Sequence, residues 1–266
     1  MKKIFLFLLT IFLMTGCGGE KNSESVNSMR YSRPLVIGMD DFAPFGFLDE
    51  SSNIVGFDVD LAKEAAKRMG VEPQFKIIEW SEKEREINFG NVDMIWNGCD
   101  INADYKRYMI FSRPYIQDRQ ILLVAAGNPK NIHAPGDLAG KIVATQTGSN
   151  SDIYLNTEDA YLRESFAAFE TYPTIDEGFD ALRAGDFDAI IIDEIAARYE
   201  VIKHPDDFET VEAMVGSFTE IGIGFRKGND ELRDRVQKVF DEMIKDGTAK
   251  KISEQWFGAD LIKPRR

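Results

Sequence analysis

From Leu35 onward the chain is organised as short apolar runs set off by polar turns and interleaved with stretches of helical spacing. Leu35-Val36-Ile37-Gly38 is an apolar run of strand length. Phe45-Gly46-Phe47-Leu48 and Ile54-Val55-Gly56-Phe57 flank a polar turn at 49–53, which predicts a hairpin. Asp58 is placed to cap a helix whose apolar positions Leu61, Ala65 and Met69 recur at four-residue steps up to Gly70. A strand over 75–78, a short helix over 82–89 and a strand over 92–96 follow. Strands alternating with helices imply a mostly parallel sheet.

The alternation then restarts. Strands are predicted over 120–125 and 141–144, and a helix over 176–184. Asp188-Ala189-Ile190-Ile191-Ile192 is a continuous apolar run, as expected for a parallel strand covered on both faces. A last strand is predicted over 221–225, and the final helix carries Leu232, Val236, Val239, Phe240 and Met243 on one face. Two such α/β stretches predict two lobes, 33–118 plus 221–266 and 119–220, with the chain crossing near 116–120 and returning near 218–221. A ligand cleft is expected between them, where the carboxyl ends of parallel strands meet a domain interface.

The first residues have a different pattern. Lys2 and Lys3 precede a run from Ile4 to Met14 that is apolar except for Thr10, followed by Thr15-Gly16-Cys17. This is the three-part layout of a secretory signal, and the run is too short to span a bilayer comfortably. Its end resembles the lipobox of bacterial lipoproteins, with Met14 where leucine is usual. The resemblance implies a signal peptide at 1–16, a lipid on Cys17 as mature N-terminus, and anchoring to the cell membrane outside the cytoplasm. An ordinary cleaved signal with an incidental cysteine is the other reading. Residues 17–32 are small and polar and are expected to form a tether.

Composition narrows the partners. With 32 basic and 45 acidic residues the formal charge is −13, and loss of Lys2 and Lys3 with the signal makes it −15. Such a surface repels nucleic acid and anionic headgroups, so no nucleic-acid partner is expected. Cys99 would be the one remaining thiol, which leaves no internal disulfide and puts stability on core packing.

Catalytic signatures are sparse. His133 and His204 lie in neither nucleophile nor metal-ligand spacing and read as surface loop residues. There is no HExxH, CxxC, GxSxG or phosphate-binding glycine loop, so neither metal nor cofactor is expected. What stands out are polar and aromatic residues just after strands. Asp40, Phe42 and Pro44 follow the first strand, where the Phe42 ring either stacks on a ligand or covers the sheet end. Trp80 has the same two readings. Trp96, Asn97, Gly98 and Asp100 end another strand, with Gly98 permitting close backbone approach. Gln146, Ser149, Asn150 and Ser151 form a strand-to-helix turn whose backbone N–H groups suit an anion, although helix capping by Ser149 or Ser151 explains much of it. Asp193 ends the apolar 188–192 run, placed for a ligand ammonium or for capping the next helix.

At these residues the chain resembles the bacterial extracellular solute-binding proteins that feed polar amino acids to ABC importers (family 3). The matching segments include Gly56-Phe57-Asp58-Val59-Asp60-Leu61, Val92-Asp93-Met94-Ile95-Trp96-Asn97-Gly98 and Phe111-Ser112-Arg113-Pro114-Tyr115. Leu138-Ala139-Gly140-Lys141, Gly148-Ser149, Asp246-Gly247-Thr248-Ala249-Lys250-Lys251-Ile252 and Trp256-Phe257-Gly258 complete the series in the family's order and spacing. The resemblance implies a type II periplasmic-binding-protein-like fold, two α/β lobes that close on a ligand like a hinged clamp. It places Phe42 and Trp80 as rings that sandwich the ligand, and Asp40, Gly98, the 146–151 turn and Asp193 along its wall, with Asp193 on the α-ammonium.

Two positions depart from the family. Tyr105 stands where an arginine normally grips the α-carboxylate, and Asp100 where threonine is usual. Removing one partner of a buried charge pair costs about 2–5 kcal/mol, and a carboxylate added to the wall makes an anion less welcome still. The expected ligand is therefore an amino-acid-like or cationic molecule held by Asp100, Asp193 and the aromatic rings, or an amino acid whose carboxylate turns to the amides of 149–151. The expected protein is a monomeric, membrane-anchored binding protein serving an ABC permease, and not an enzyme. The alternatives are an enzyme similar to cyclohexadienyl dehydratases, which share the fold, and a ligand sensor without transport.

Overall fold

The computed structural model describes residues 33–262. The signal, the Cys17 lipidation site and the tether fall outside the described residues. In chain order, β1 (Leu35–Met39) leads to the hairpin β2 (Phe47–Leu48) and β3 (Ile54–Val55), then α1 (Phe57–Met69) and β4 (Pro73–Ile77). A 3-10 turn at Trp80–Glu82, α2 (Lys83–Asn88), β5 (Met94–Ile95) and β6 (Met109–Phe111) complete this part. The second part has β7 (Ile116–Ala125), β8 (Ile142–Gln146), α3 (Asn150–Thr157), α4 (Ala160–Glu164) and β9 (Ala168–Tyr172). It continues with α5 (Ile175–Ala184), β10 (Ala189–Asp193), α6 (Glu194–Lys203) and β11 (Phe208–Ile221). The chain then returns through β12 (Gly224–Arg226) to α7 (Asp230–Lys245) and α8 (Thr248–Phe257).

The strands form two five-stranded sheets, ordered β4-β1-β5-β12-β6 and β11-β7-β10-β8-β9. In the first, β12 runs against the other four, and in the second β7 does. Both sheets are thus mostly parallel, each with one reversed strand that belongs to a passage between them. Helices cover the faces, so the two lobes expected from the alternating pattern are the architecture observed. β7 and β11 pair antiparallel from Phe208↔Ala125 to Ile221↔Ile116, with register shifts around Val215. Gly216, at φ 78°, sits within this irregular stretch.

Three elements depart from the expected pattern. β11 extends over fourteen residues, where sequence periodicity marks only a return near 218–221. Glu209, Glu212 and Glu220 interrupt its apolar positions, and pairing to β7 supplies what local pattern does not. The predicted strand over 221–225 is split between the end of β11 and β12. The helix carrying Leu232, Val236, Val239, Phe240 and Met243 buries those five residues, but α8 follows it, started by Gly247 in the left-handed region at φ 81°.

Asp58 does not cap α1. The helix begins after Gly56, whose φ of 141° and 2.3 Å clearance from a hypothetical Cβ to the Phe45 carbonyl exclude any side chain. The Asp58 carboxylate turns inward and is fully buried. Its Oδ2 accepts from the Gly98 N–H at 2.7 Å, and the Tyr115 hydroxyl lies 2.8 Å from both carboxylate oxygens. This pins the end of β5 to α1 and holds the following residues at the sheet edge.

Candidate functional site

The ends of β1 and β5 bring three segments of the first lobe together. Asp40 follows β1, and its N–H donates to Asn97 Oδ1 at 3.0 Å, while Asn97 Nδ2 donates to the Gly46 carbonyl at 3.1 Å. Asn97 is therefore a brace between two loops. Phe42 bridges to Gly46 and stacks on Phe45 at 5.6 Å. Gly98, at φ 60°, presses so closely on the Phe45 ring that an added Cβ would come within 3.0 Å. Asp100 pairs with Ile221 through an isolated bridge, which sets it where β11 returns to the first lobe.

From the second lobe come the 146–151 turn and Asp193. Gln146 Nε2 donates to Asp40 Oδ2, a contact between the two lobes. Ser149 caps α3, accepting from the Asp152 N–H at 3.2 Å. Asn150 Oδ1 accepts from Asn102 Nδ2 at 3.2 Å. Asp193 makes no side-chain cap, so the capping reading is set aside. Its Oδ1 accepts from Gln120 Nε2 at 2.7 Å, and Gln120 Oε1 in turn accepts from the Ser151 hydroxyl at 2.6 Å.

Nine of the predicted residues line one small void: Asp40, Phe42, Trp80, Gly98, Asp100, Gln146, Ser149, Asn150 and Asp193. Its volume is about 20 Å³, room for a single water. Four predicted residues lie elsewhere. Trp96 is core, packed edge-on to Phe240 at 6.0 Å, because its side chain points to α7 rather than the cleft. Asn97 is the loop brace just described, and Ser151 lines a neighbouring, larger cavity. Tyr105 is buried, its hydroxyl donating to the Gly148 carbonyl at 2.7 Å.

The turn's anion reading also narrows. The N–H groups of Thr147, Gly148 and Ser149 are engaged by Tyr172 O at 2.9 Å, Asp152 Oδ2 at 2.7 Å and Gln146 O at 3.1 Å. These donors are spent inside the turn.

Lys83 is the chief residue that sequence reasoning missed. It is only 3 % exposed, and its Nζ donates to Trp80 O at 2.9 Å and to Gly148 O at 2.8 Å. The ammonium also sits 4.8 Å from the Trp80 ring centroid and 4.4 Å from that of Tyr105. Burial lowers its pKa to about 8, against the pull of Asp40, Asp100 and Asp152. The available signal was helical spacing: Lys83 precedes Ile87 by four residues and shares the buried face of α2 with it. A charged neighbourhood hides that signal.

Carboxylates dominate the site. Burial raises Asp40 to about 6, with Gln146 and the Asp41 N–H opposing it. Asp100, 5 % exposed, is pushed well above the carboxylate range by burial and then by Asp193. Asp118 on β7 is raised likewise, by burial and then by Asp193 and Asp100. Asp193 rises through burial, against the Gln120 hydrogen bond. Asp118 Oδ2 is buried with no hydrogen-bond partner among the described residues. A site of this kind attracts a positive charge and resists a second carboxylate.

Residues 35–259 match the family model described as bacterial extracellular solute-binding proteins, family 3. The L-cystine-binding protein TcyJ of Escherichia coli (strain K12) is 32% identical over 267 residues, spanning 98% of this chain and 97% of that protein. A substrate-binding protein of an ABC uptake transporter from Streptococcus pneumoniae, solved with bound histidine, superimposes with a TM-score of 0.84 at 26% identity, over 90% of this chain and 98% of that one. An ancestral arginine-binding protein bound to arginine gives 0.78 at 35% identity, over 85% and 98% of the two chains.

Proposed function

Because the chain belongs to the bacterial extracellular solute-binding proteins of family 3, we propose that it captures a cationic, amino-acid-like small molecule for an ABC importer. The observation that carries the ligand class is the wall of the small void, where Asp40, Asp100 and Asp193 meet two aromatic rings. Position 105 supplies no guanidinium, and the Tyr105 hydroxyl and Lys83 ammonium both donate to the Gly148 carbonyl. An ammonium or guanidinium would gain charge–charge and cation–π stabilisation there, whereas a carboxylate would add to a surplus of negative charge. The relatives named for arginine, histidine and cystine support an amino-acid-like ligand.

In this reading the lobes 33–118 plus 221–266 and 119–220 hinge at β7 and β11 and shut on the ligand. The contacts Gln146–Asp40, Lys83–Gly148, Tyr105–Gly148 and Asn102–Asn150 are the ones that closure makes and opening breaks. The ligand favours closure only to the extent that it binds the shut form better. A lipid on Cys17 would hold a monomeric clamp beside its membrane permease and raise its local concentration there. The protein works by binding and release, with no bond made or broken in the ligand.

Titration calorimetry with arginine, histidine, cystine and their carboxamides tests the ligand class. Amides are expected to bind at least as tightly as the parent amino acids. Amino acids that bind at least about tenfold more tightly than their amides refute the cationic reading.

A further inference from the structure

The two lobes touch through groups of their own. The Gly148 carbonyl in the second lobe accepts from Lys83 Nζ at 2.8 Å and from the Tyr105 hydroxyl at 2.7 Å, so two donors of the first lobe converge on one acceptor. Both donors are buried, and the Lys83 ammonium is further held by Trp80 O and by the Trp80 and Tyr105 ring faces. The backbones come so close that a Cβ on Gly148, which sits at φ 71°, would lie 3.1 Å from Ser81 Cα. Ile153 of α3 packs on the buried first-lobe cluster that contains Trp80, Ile87 and Tyr105. A separate contact joins Phe47 of β2 to Tyr199 of α6, with ring centroids 5.8 Å apart.

None of Lys83, Tyr105, Gly148, Ile153, Phe47 and Tyr199 lines the small void. Tyr105 gives its hydroxyl proton to the opposite lobe, and Lys83 divides its donors between the two lobes. Parting the lobes breaks both Gly148 hydrogen bonds, one of them charge-assisted, and strips Ile153 from the first-lobe cluster. These contacts favour the shut form with groups that all belong to the chain.

We propose that Lys83 and Tyr105 form a latch on the Gly148 carbonyl that keeps the lobes shut before any ligand is bound. They are positioning residues: they set the closed cleft without touching what it holds. The shut form is the populated one in the free protein, and a ligand enters when the latch releases. Since the shut form is already favoured, capture carries little closure cost, and every ligand benefits alike whatever its charge. The inference concerns closure alone and stands or falls separately from the cationic reading of the cleft.

The test is double electron–electron resonance on the purified protein, dialysed out of denaturant to strip any carried-over ligand. Spin labels go on Lys67→Cys in α1 and Asp180→Cys in α5, one in each lobe, where the side chains are 80 % and 78 % exposed. Cys17→Ser removes one native thiol, and the other, Cys99, is buried away from the label. Distances are read in this background and with Lys83→Met, Tyr105→Phe and both together. The background is expected to give the short interlobe distance of this structure as its main component. Tyr105→Phe deletes one hydrogen bond and should raise the open-to-shut ratio about fivefold, and the double variant at least about thirtyfold, with a longer distance appearing. Ile87→Val, buried one turn along the same helix, lowers stability without touching the latch and should leave the distances unchanged. The inference is overturned if the background is mainly open, if the double variant keeps the background distribution, or if Ile87→Val opens the lobes as far as the latch variants do. Circular dichroism establishes that each variant is folded, and Tyr105→Phe, which changes one oxygen atom, tests the latch even if Lys83→Met fails to fold.

Discussion

Replacing Asp58 with asparagine should change how stability depends on pH. Burial raises this carboxyl from 3.8 to about 7, and the hydrogen bonds from Gly98 N–H and Tyr115 only partly offset it. The folded protein therefore holds this proton more tightly than the unfolded chain does. Between about pH 4 and 7 folding takes up a proton, so this group's contribution is fully present below pH 4 and is lost as pH rises through 7. A rise from 3.8 to about 7 corresponds to about 4 kcal/mol, an upper figure because the surroundings relax around the charge. Asparagine has the shape of the protonated acid, keeps an acceptor for the Gly98 N–H and never ionises. Asp58→Asn should match the wild type within about 1 kcal/mol at pH 4 and exceed it by about 2–4 kcal/mol at pH 8. Denaturant unfolding of both proteins at pH 4, 6 and 8 reads the difference. The other raised carboxyls, Asp40, Asp100, Asp118, Asp176, Asp193 and Glu200, are common to both proteins and cancel. Parallel stability curves, with a difference independent of pH, would refute the reasoning.

Lys83→Met removes a buried ammonium whose pKa is lowered to about 8, so the wild type should gain stability relative to the variant between about pH 8 and 10 as this group sheds its proton; unfolding of both proteins at pH 7.5 and 10 decides it. Tyr105→Arg introduces a guanidinium at the family's carboxylate-gripping position and should improve the affinity for an amino acid over its amide by at least about tenfold. Unchanged discrimination by calorimetry would remove position 105 from the account of ligand choice. Asp193→Asn leaves a hydrogen-bonding partner for Gln120 but takes away a charge, and should weaken cationic ligands by at least about tenfold while leaving the melting temperature in their absence within a few degrees. An equal loss for neutral amides of neutral amino acids would argue that Asp193 only shapes the cleft.

Much of the site could be read along the chain because strand ends announce themselves. Asp40, Phe42, Gly98, Gln146 and Asp193 each follow a run whose apolar character marks it as a strand, and parallel strands deliver their carboxyl ends to one edge. Lys83, Gln120 and Asp118 carry no comparable mark. Lys83 is surrounded by glutamates in a six-residue helix, and only packing against Trp80, Tyr105 and the Gly148 carbonyl shows it to be buried. Gln120 and Asp118 sit on β7, whose neighbours β10 and β11 come from 64 or more residues later in the chain. Trp96 misled for the opposite reason: it ends a strand at the cleft edge, but pleating turns its ring to α7 and the core.

Local pattern therefore determined the strands, the helices and the edge where chemistry collects, since periodicity and turn residues act over a few positions. The missing arginine at 105 and the acid at 100 were equally a matter of sequence. Tertiary structure decided what those changes mean. It placed Lys83 and Tyr105 on the same carbonyl of the opposite lobe and set Asp100 and Asp193 in the wall of one void. Charge balance in a buried site depends on which distant segments meet there, and that is fixed by packing rather than by neighbours in the chain.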